Sequence, residues 1–195
     1  MKMSYRDTYS RFYQEQKNSI LNKVRENPQK SPKDFVSEIS RVYNQRTGKE
    51  LPEQDAKAIE NMLTEIKSAP AEMQEKSPLL DAYCNEQATK RFFAEGMGEQ
   101  RRQTQSGRAD FSPEYREFLD ERKKECDARH QKFREYAEKC KETNPQRAEA
   151  YDYAARRYSD QSKIWDQGGA IHKTIDRNEN QAREQVREYS RGRGR

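Results

Sequence analysis

The chain has 195 residues, with 39 Lys or Arg against 34 Asp or Glu and a formal net charge of +5 at pH 7. Opposite charges are interspersed as on solvated helix faces, and no apolar run is long enough to cross a membrane or to form the core of a signal peptide. These features exclude a membrane span and predict a protein that is cytoplasmic where it is made, without an N-terminal signal peptide.

The residues available for a core are mainly aromatic. Eleven Tyr, seven Phe and one Trp provide large apolar surfaces, whereas Leu, Ile and Val are scarce. We therefore expect a modest core in an all-α, elongated bundle of about seven helices. Such a bundle either has marginal stability or gains stability from a partner protein or from self-association. The three cysteines have no paired spacing, which favours reduced thiols over a disulfide framework.

Proline marks the beginning of five predicted helices. A Ser or Asn side chain before the proline can accept a hydrogen bond from a free amide of the first turn, and proline has no amide hydrogen to leave unpaired there. Asp34, three residues after Ser31, predicts a capping box at one of these starts. The five pairs are Ser31-Pro32, Leu51-Pro52, Ser77-Pro78, Ser112-Pro113 and Asn144-Pro145.

Apolar residues at helical spacing outline four helices in the first half of the chain. The first begins at Tyr5, the third is marked by Ile59 and its neighbours, and the fourth begins at Pro78. The second carries a stripe made of Phe35, Val36, Ile39, Val42 and Tyr43. Residues 98–111 are polar and contain glycine, which predicts a flexible loop between an N-terminal helical subdomain, 1–97, and a C-terminal one, 112–190.

A regular apolar seam follows this loop. Its members lie seven residues apart, as in a coiled coil, and are Leu119, Cys126, Phe133 and Cys140, with Tyr115 and Tyr136 beside them. A second stripe, from Ala148 to Trp165, comes after a short connection, so an antiparallel helical hairpin is predicted over 113–166.

The chain after this hairpin is predicted to contain one more helix and a tail. The helix is marked by Ile171, Ile175, Ala182, Val186 and Tyr189. Residues 191–195 consist of Arg and Gly and are predicted to form a disordered C-terminal tail.

No set of residues supplies the parts of a catalytic or metal site. His130 has Asp127 one turn before it, but a helical di-metal site needs a second His with its own carboxylate and two further Glu. Cys126 and His130 have the spacing of a nucleophile and base, yet no orienting group accompanies them. A glycine-rich phosphate loop is missing too. We predict a non-enzymatic protein without metal or cofactor.

Basic residues suggest a nucleic-acid surface as one interpretation. Residues 122–141 hold eight Lys or Arg against four acids. Together with Arg101, Arg102, Arg108 and the Arg-Gly tail they are able to form a phosphate-binding stripe. A solvated helix face is the other interpretation, because acidic residues are interleaved throughout.

The end of the sequence carries a spaced set of arginines. Arg183, Arg191, Arg193 and Arg195 follow the pattern R-x7-R-x-R-x-R. This resembles the arginine-rich C-terminal transport signal of effectors that bacterial type IV secretion systems move. The resemblance covers residues 183–195 and implies translocation into a host cell.

Two functions are compatible with these features. The first is a helical protein-interaction protein, an adaptor or effector, whose aromatic contact residues are Phe92, Phe93, Phe133, Tyr136 and Tyr158, because aromatic side chains dominate interfaces. The second is an RNA- or DNA-binding protein that uses the Arg-Gly tail and the basic face of the helix at 113–142.

Overall fold

A computed structural model of the chain describes residues 4–95, 102–103 and 109–168. Within these ranges the chain is almost entirely helical, which confirms the all-α prediction. The elements are α1 (Tyr5–Glu26), α2 (Pro32–Thr47), α3 (Glu53–Ser68), a 3₁₀ helix (Ala71–Lys76), α4 (Pro78–Ala94), β1 (Arg102–Gln103), β2 (Ala109–Asp110), α5 (Pro113–Cys140) and α6 (Pro145–Asp166).

The proline-marked starts are confirmed. Four of the five prolines are the first residue of a helix, and the fifth, Pro52, directly precedes α3. At α2 the Ser31 hydroxyl accepts from the Asp34 amide at 3.2 Å, and the Asp34 carboxylate accepts from the Ser31 amide at 3.2 Å. Helix α2 ends at Gly48, whose φ of 68° is the left-handed conformation that favours glycine.

Helices α5 and α6 form the predicted antiparallel hairpin and pack along most of their length. Leu119, Cys126 and Phe133 of the seam are buried between them. Polar contacts also cross the hairpin, among them the ion pair of Lys123 with Asp166 at 3.1 Å. His130 Nδ1 donates to the Ala155 carbonyl at 2.8 Å, and the Ser162 hydroxyl donates to Asp127 Oδ1 at 2.6 Å.

The core is rich in aromatic rings and joins both halves of the chain. Trp165, at the end of α6, is fully buried, and its ring lies 5.7 Å from Tyr9 of α1, 5.6 Å from Phe92 of α4 and 5.6 Å from Phe118 of α5. Helix α1 packs mainly against α4, and α4 also packs against α6. The proposed subdomain limits at residues 97 and 112 stay a prediction.

Two short elements differ from the expected pattern. The segment 98–111, predicted as a loop, contains an antiparallel strand pair in which Arg102 faces Asp110 and Gln103 faces Ala109. The 3₁₀ helix has no buried residue, so it leaves no apolar stripe in the sequence. The predicted helix after residue 170 and the Arg-Gly tail lie outside the described residues.

Candidate interaction surface

Helix α2 carries an apolar stripe that the rest of the chain covers only in part. We call Phe35, Val36, Ile39, Val42 and Tyr43 the α2 stripe. Phe35 is buried at 6 % exposure, and Val36, Ile39 and Tyr43 are intermediate. Val42 is 36 % exposed. Among the described residues, the one other large apolar side chain that is exposed is Met73. The stripe is therefore open towards the C-terminal end of the helix.

Helix α2 is attached to the body of the bundle chiefly through α3. In the described structure, the polar side chains of α2 form hydrogen bonds only with partners that lie within residues 30–49. They join Ser31 with Asp34, Lys30 with Glu38, Ser37 with the Lys33 carbonyl, Asn44 with the Lys49 carbonyl and Thr47 with the Tyr43 carbonyl. Contacts between α2 and the other helices are thus mainly apolar.

The surface around the α2 stripe has an excess of positive charge. Residues 30–49 contain five basic and two acidic residues, and both acids are engaged locally, Asp34 in the cap and Glu38 with Lys30. Among the described residues, exposed Lys33, Arg41 and Arg46 have no carboxylate at ion-pair distance. An apolar stripe with uncompensated cations beside it is able to bind a partner through both kinds of contact.

A groove lies between α3 and α6. Three adjoining depressions of about 150, 80 and 40 Å³ share Ala150 as a lining residue. Opposite walls are already joined, because Lys57 pairs with Glu149 at 2.7 Å and Tyr153 donates to Asp55 at 2.7 Å. These two contacts join α3 to α6 across the groove.

One end of this groove is fixed by a largely buried carboxylate, Glu65. It accepts from the Ser77 hydroxyl at 2.6 Å and from the Leu79 amide at 3.2 Å, at the start of α4. The Tyr151 hydroxyl donates to its other oxygen at 3.0 Å, and Arg147 lies 3.3 Å away. Glu65 thus joins α3, α4 and α6 and has a structural role.

The five aromatic residues predicted as partner contacts lie mostly inside the chain. Phe92, Phe133 and Tyr158 are 0 to 1 % exposed, so their rings have no surface to offer in this conformation. Phe93 and Tyr136 are partly buried and pack against Trp165 and Tyr151. Whether any of them contacts a partner stays a prediction, and Phe93 and Tyr136 are the accessible ones.

The predicted basic stripe of α5 is divided by its own contacts. Arg122 is 8 % exposed and points into the core, and Lys123 pairs with Asp166 at 3.1 Å. Arg129 lies 3.6 Å from Asp81, and Lys141 lies 3.6 Å from Glu138. The remaining basic residues of this segment are exposed and have no carboxylate at ion-pair distance among the described residues; they are Lys124, Lys132, Arg134 and Lys139.

The side chains of the other arginines predicted to bind nucleic acid or to form the transport signal are not described by the structure. The side chains of Arg101, Arg102 and Arg108, and the whole of Arg183, Arg191, Arg193 and Arg195, lie outside what the structure describes.

The side chains that suggested catalytic or metal chemistry are engaged in structural contacts. Burial raises the pKa of the Cys126 thiol to about 12, so the thiolate needed for nucleophilic attack is not formed at neutral pH. His130 and Asp127 bind α6 rather than each other. Among the described residues no group of three His, Cys, Asp or Glu is placed to hold a metal ion.

The buried position of Arg122 is the feature that the sequence reasoning missed. The spacing of residues along α5 could have indicated this burial. Tyr115, Arg122, Arg129 and Tyr136 are seven residues apart and form the second row of the heptad beside the apolar one. A basic residue in that row faces the neighbouring helices and not the solvent.

No α-helix among the described residues is long and apolar enough to cross a lipid bilayer. Comparison with protein-family models, with curated proteins and with solved structures finds no match for the chain.

Proposed function

We propose that the chain is a non-enzymatic protein-interaction module, of the adaptor or effector kind, and that its α2 stripe binds an amphipathic helix of a partner protein. The observation that carries this proposal is the incomplete cover of the stripe, in which Phe35 is buried while Val42 stays 36 % exposed. Helical spacing of the stripe suits a partner helix, because the ridges of one helix fit the grooves of another.

Both the apolar and the charged features of α2 support this assignment. Covering Val42 and the intermediate residues beside it would remove apolar surface from water, which contributes about 25 cal/mol per Å². Arg46 continues the face of Phe35, Ile39 and Val42, at i+11, i+7 and i+4 from them, so it lies where a carboxylate of the partner can reach it. The α3–α6 groove, by contrast, is already crossed by the Lys57–Glu149 ion pair and the Tyr153–Asp55 hydrogen bond.

A peptide-display library selected against the full chain tests the proposal. We expect the enriched peptides to bind with an affinity that falls by at least about tenfold in Val42→Asp, because a carboxylate would be buried in the interface. Met73→Asp is the matched control, since Met73 is the other exposed large apolar residue and lies outside α2. Affinity is measured by fluorescence anisotropy, and circular dichroism checks that both variants fold.

The α2 assignment is wrong if the selected peptides bind both variants equally or lose as much affinity with Met73→Asp. Sedimentation of the free chain at the same concentrations covers a further outcome. A dimer that dissociates on Val42→Asp would make a second copy the occupant and would contradict the proposal of a foreign partner.

Nucleic-acid binding is the second candidate. The observation that favours it is the group of exposed cations on α5, such as Lys124 and Arg134, which have no carboxylate at ion-pair distance in the described part of the chain. It requires binding to RNA or DNA that weakens steeply with salt and that Val42→Asp leaves unchanged. The separation of these cations from α2 allows one set of variants to distinguish the two functions.

Delivery through a type IV secretion system is proposed as the route by which the module reaches its partner. The support is the R-x7-R-x-R-x-R pattern at residues 183–195. We expect deletion of residues 183–195 to abolish translocation of a reporter fusion from a type IV-competent bacterium into host cells. Peptide binding by the α2 stripe should persist in the same variant. Undiminished translocation would remove this route and leave the interaction proposal standing.

A further inference from the structure

The charges next to the α2 stripe restrict the chemistry of its occupant. Lys33, Arg41 and Arg46 are exposed, and the two carboxylates of α2 itself are already bound, Asp34 by the cap and Glu38 by Lys30. An occupant without acidic groups would leave these cations uncompensated beside a newly dehydrated surface, which is unfavourable.

Cations of two helices contribute to this positive field. The pKa of Glu38 is lowered, first by its hydrogen bond from Lys30 and then by the positive charges of Lys30, Lys23 and Arg41. Lys23 belongs to the last turns of α1, so the field extends from α2 across to α1. Glu38 remains the only carboxylate of α2 beyond its first turn, and it is already shared.

We infer that the partner helix of the α2 stripe is acidic, with an Asp or Glu placed one helical turn from the apolar residue that covers Val42. This inference rests on the proposed function, because it concerns the occupant of the same surface. Arg46 determines the position of the acid, since it lies four residues after Val42 on the same face of α2. Lys33 lies nearer the stripe, on the side of Val36, and would attract an acid at the edge of the partner helix, whereas Arg41 lies further round α2 and adds to the positive field only at longer range.

Two designed helical peptides test the inference. Each has about 18 residues, with Leu at the i, i+3, i+4, i+7 positions and either Glu or Lys at the flanking ones. We expect the Glu peptide to bind the full chain more tightly than the Lys peptide, by about tenfold at low salt, and to lose this preference as salt increases.

Charge-reversal variants locate the effect. Arg46→Glu should weaken the Glu peptide by about fivefold and strengthen the Lys peptide by a similar factor. Arg134→Glu is the matched control, because Arg134 is an exposed arginine of α5 without a carboxylate partner among the described residues.

The outcomes separate this inference from the proposed function. If both peptides lose binding on Val42→Asp but neither responds to Arg46→Glu, or the Lys peptide binds better, the acidic partner is wrong and the docking surface stands. If neither peptide responds to Val42→Asp, the proposed function fails as well. Binding to phosphatidylserine vesicles that depends on Val42 and exceeds peptide binding would replace the protein partner with an anionic membrane.

Discussion

Arg122 reaches from α5 into the core and binds side chains of two other helices. Its Nη2 donates to the Tyr9 hydroxyl at 2.8 Å and to Asn85 Oδ1 at 3.2 Å, while Nη1 pairs with Glu125. The guanidinium carbon lies 3.9 Å from the centre of the Tyr9 ring, close enough for a cation–π contact. One charged side chain thus joins α1, α4 and α5 at a place that most of the core fills with aromatic rings.

We expect Arg122→Met to lower the free energy of unfolding by about 1–3 kcal/mol. Methionine fills a similar space, but it cannot replace the charge-assisted hydrogen bonds to Tyr9 and Asn85. Urea unfolding followed by the fluorescence of Trp165, the single tryptophan, measures the change.

Lys124→Met is the control, since Lys124 is an exposed basic residue two positions further along the same helix. It should change stability by less than about 0.5 kcal/mol. Equal effects of the two substitutions would show that Arg122 has no special part in the core.

At the scale of single residues, the burial of Arg122 could have been predicted from the heptad spacing of α5, whereas its hydrogen-bond partners could not. The heptad row of Tyr115, Arg122 and Arg129 places these side chains towards neighbouring helices. Tyr9 and Asn85, however, belong to helices whose packing against α5 depends on the whole arrangement, and no local pattern connects them.

Among the α-helices of the described structure, α2 has the fewest buried residues. Its capping box is complete, but one buried residue, Phe35, and a few half-buried ones attach it to the bundle. Helices α5 and α6, by contrast, bury side chains from Tyr115 to Phe133 and from Ala148 to Trp165. Local opening of α2 should therefore require less free energy than unfolding of the hairpin.

Ser31→Ala should increase hydrogen exchange in α2 by about fivefold or more, because loss of an N-cap costs about 1 kcal/mol. The amides of α5 and α6 should keep their protection, since α2 packs chiefly against α3. Hydrogen exchange followed by mass spectrometry of peptides from each helix gives both values.

Ser37→Ala provides the comparison within the same helix. The Ser37 hydroxyl donates to the Lys33 carbonyl inside the helix and caps nothing, so its loss should not increase exchange. A uniform increase across α2, α5 and α6 after Ser31→Ala would contradict the idea that α2 opens independently.

The helices themselves were predictable because their signals are local. Caps and prolines mark where a helix begins, and the seam of α5 shows which face it buries. The strand pair at Arg102 and Ala109 was not predictable, since two residues are too few to show an alternating pattern. The open half of the α2 stripe was equally hidden, because a stripe in sequence does not tell how much of it a neighbour covers.

At the scale of the whole molecule, the core depends on contacts between the two ends of the described chain. Tyr9 of α1 contacts Trp165 of α6, and the Tyr5 ring lies 5.0 Å from Tyr115 and 6.0 Å from Phe118. The abundance of aromatic residues predicted the character of this core, but not that α1 would close it. Such closure follows from long-range packing, for which a single sequence carries no signal.

The contact between Tyr9 and Trp165 also sets the order of events during synthesis. Helix α1 is made first, yet the ring that completes its burial belongs to the last turn of α6. Until that turn has been synthesised, α1 can pack against α4 but not against Trp165. The apolar surface of Tyr9 that Trp165 later covers is then exposed, and exposed apolar surface is what chaperones recognise. The core is therefore completed only after α6 has been synthesised.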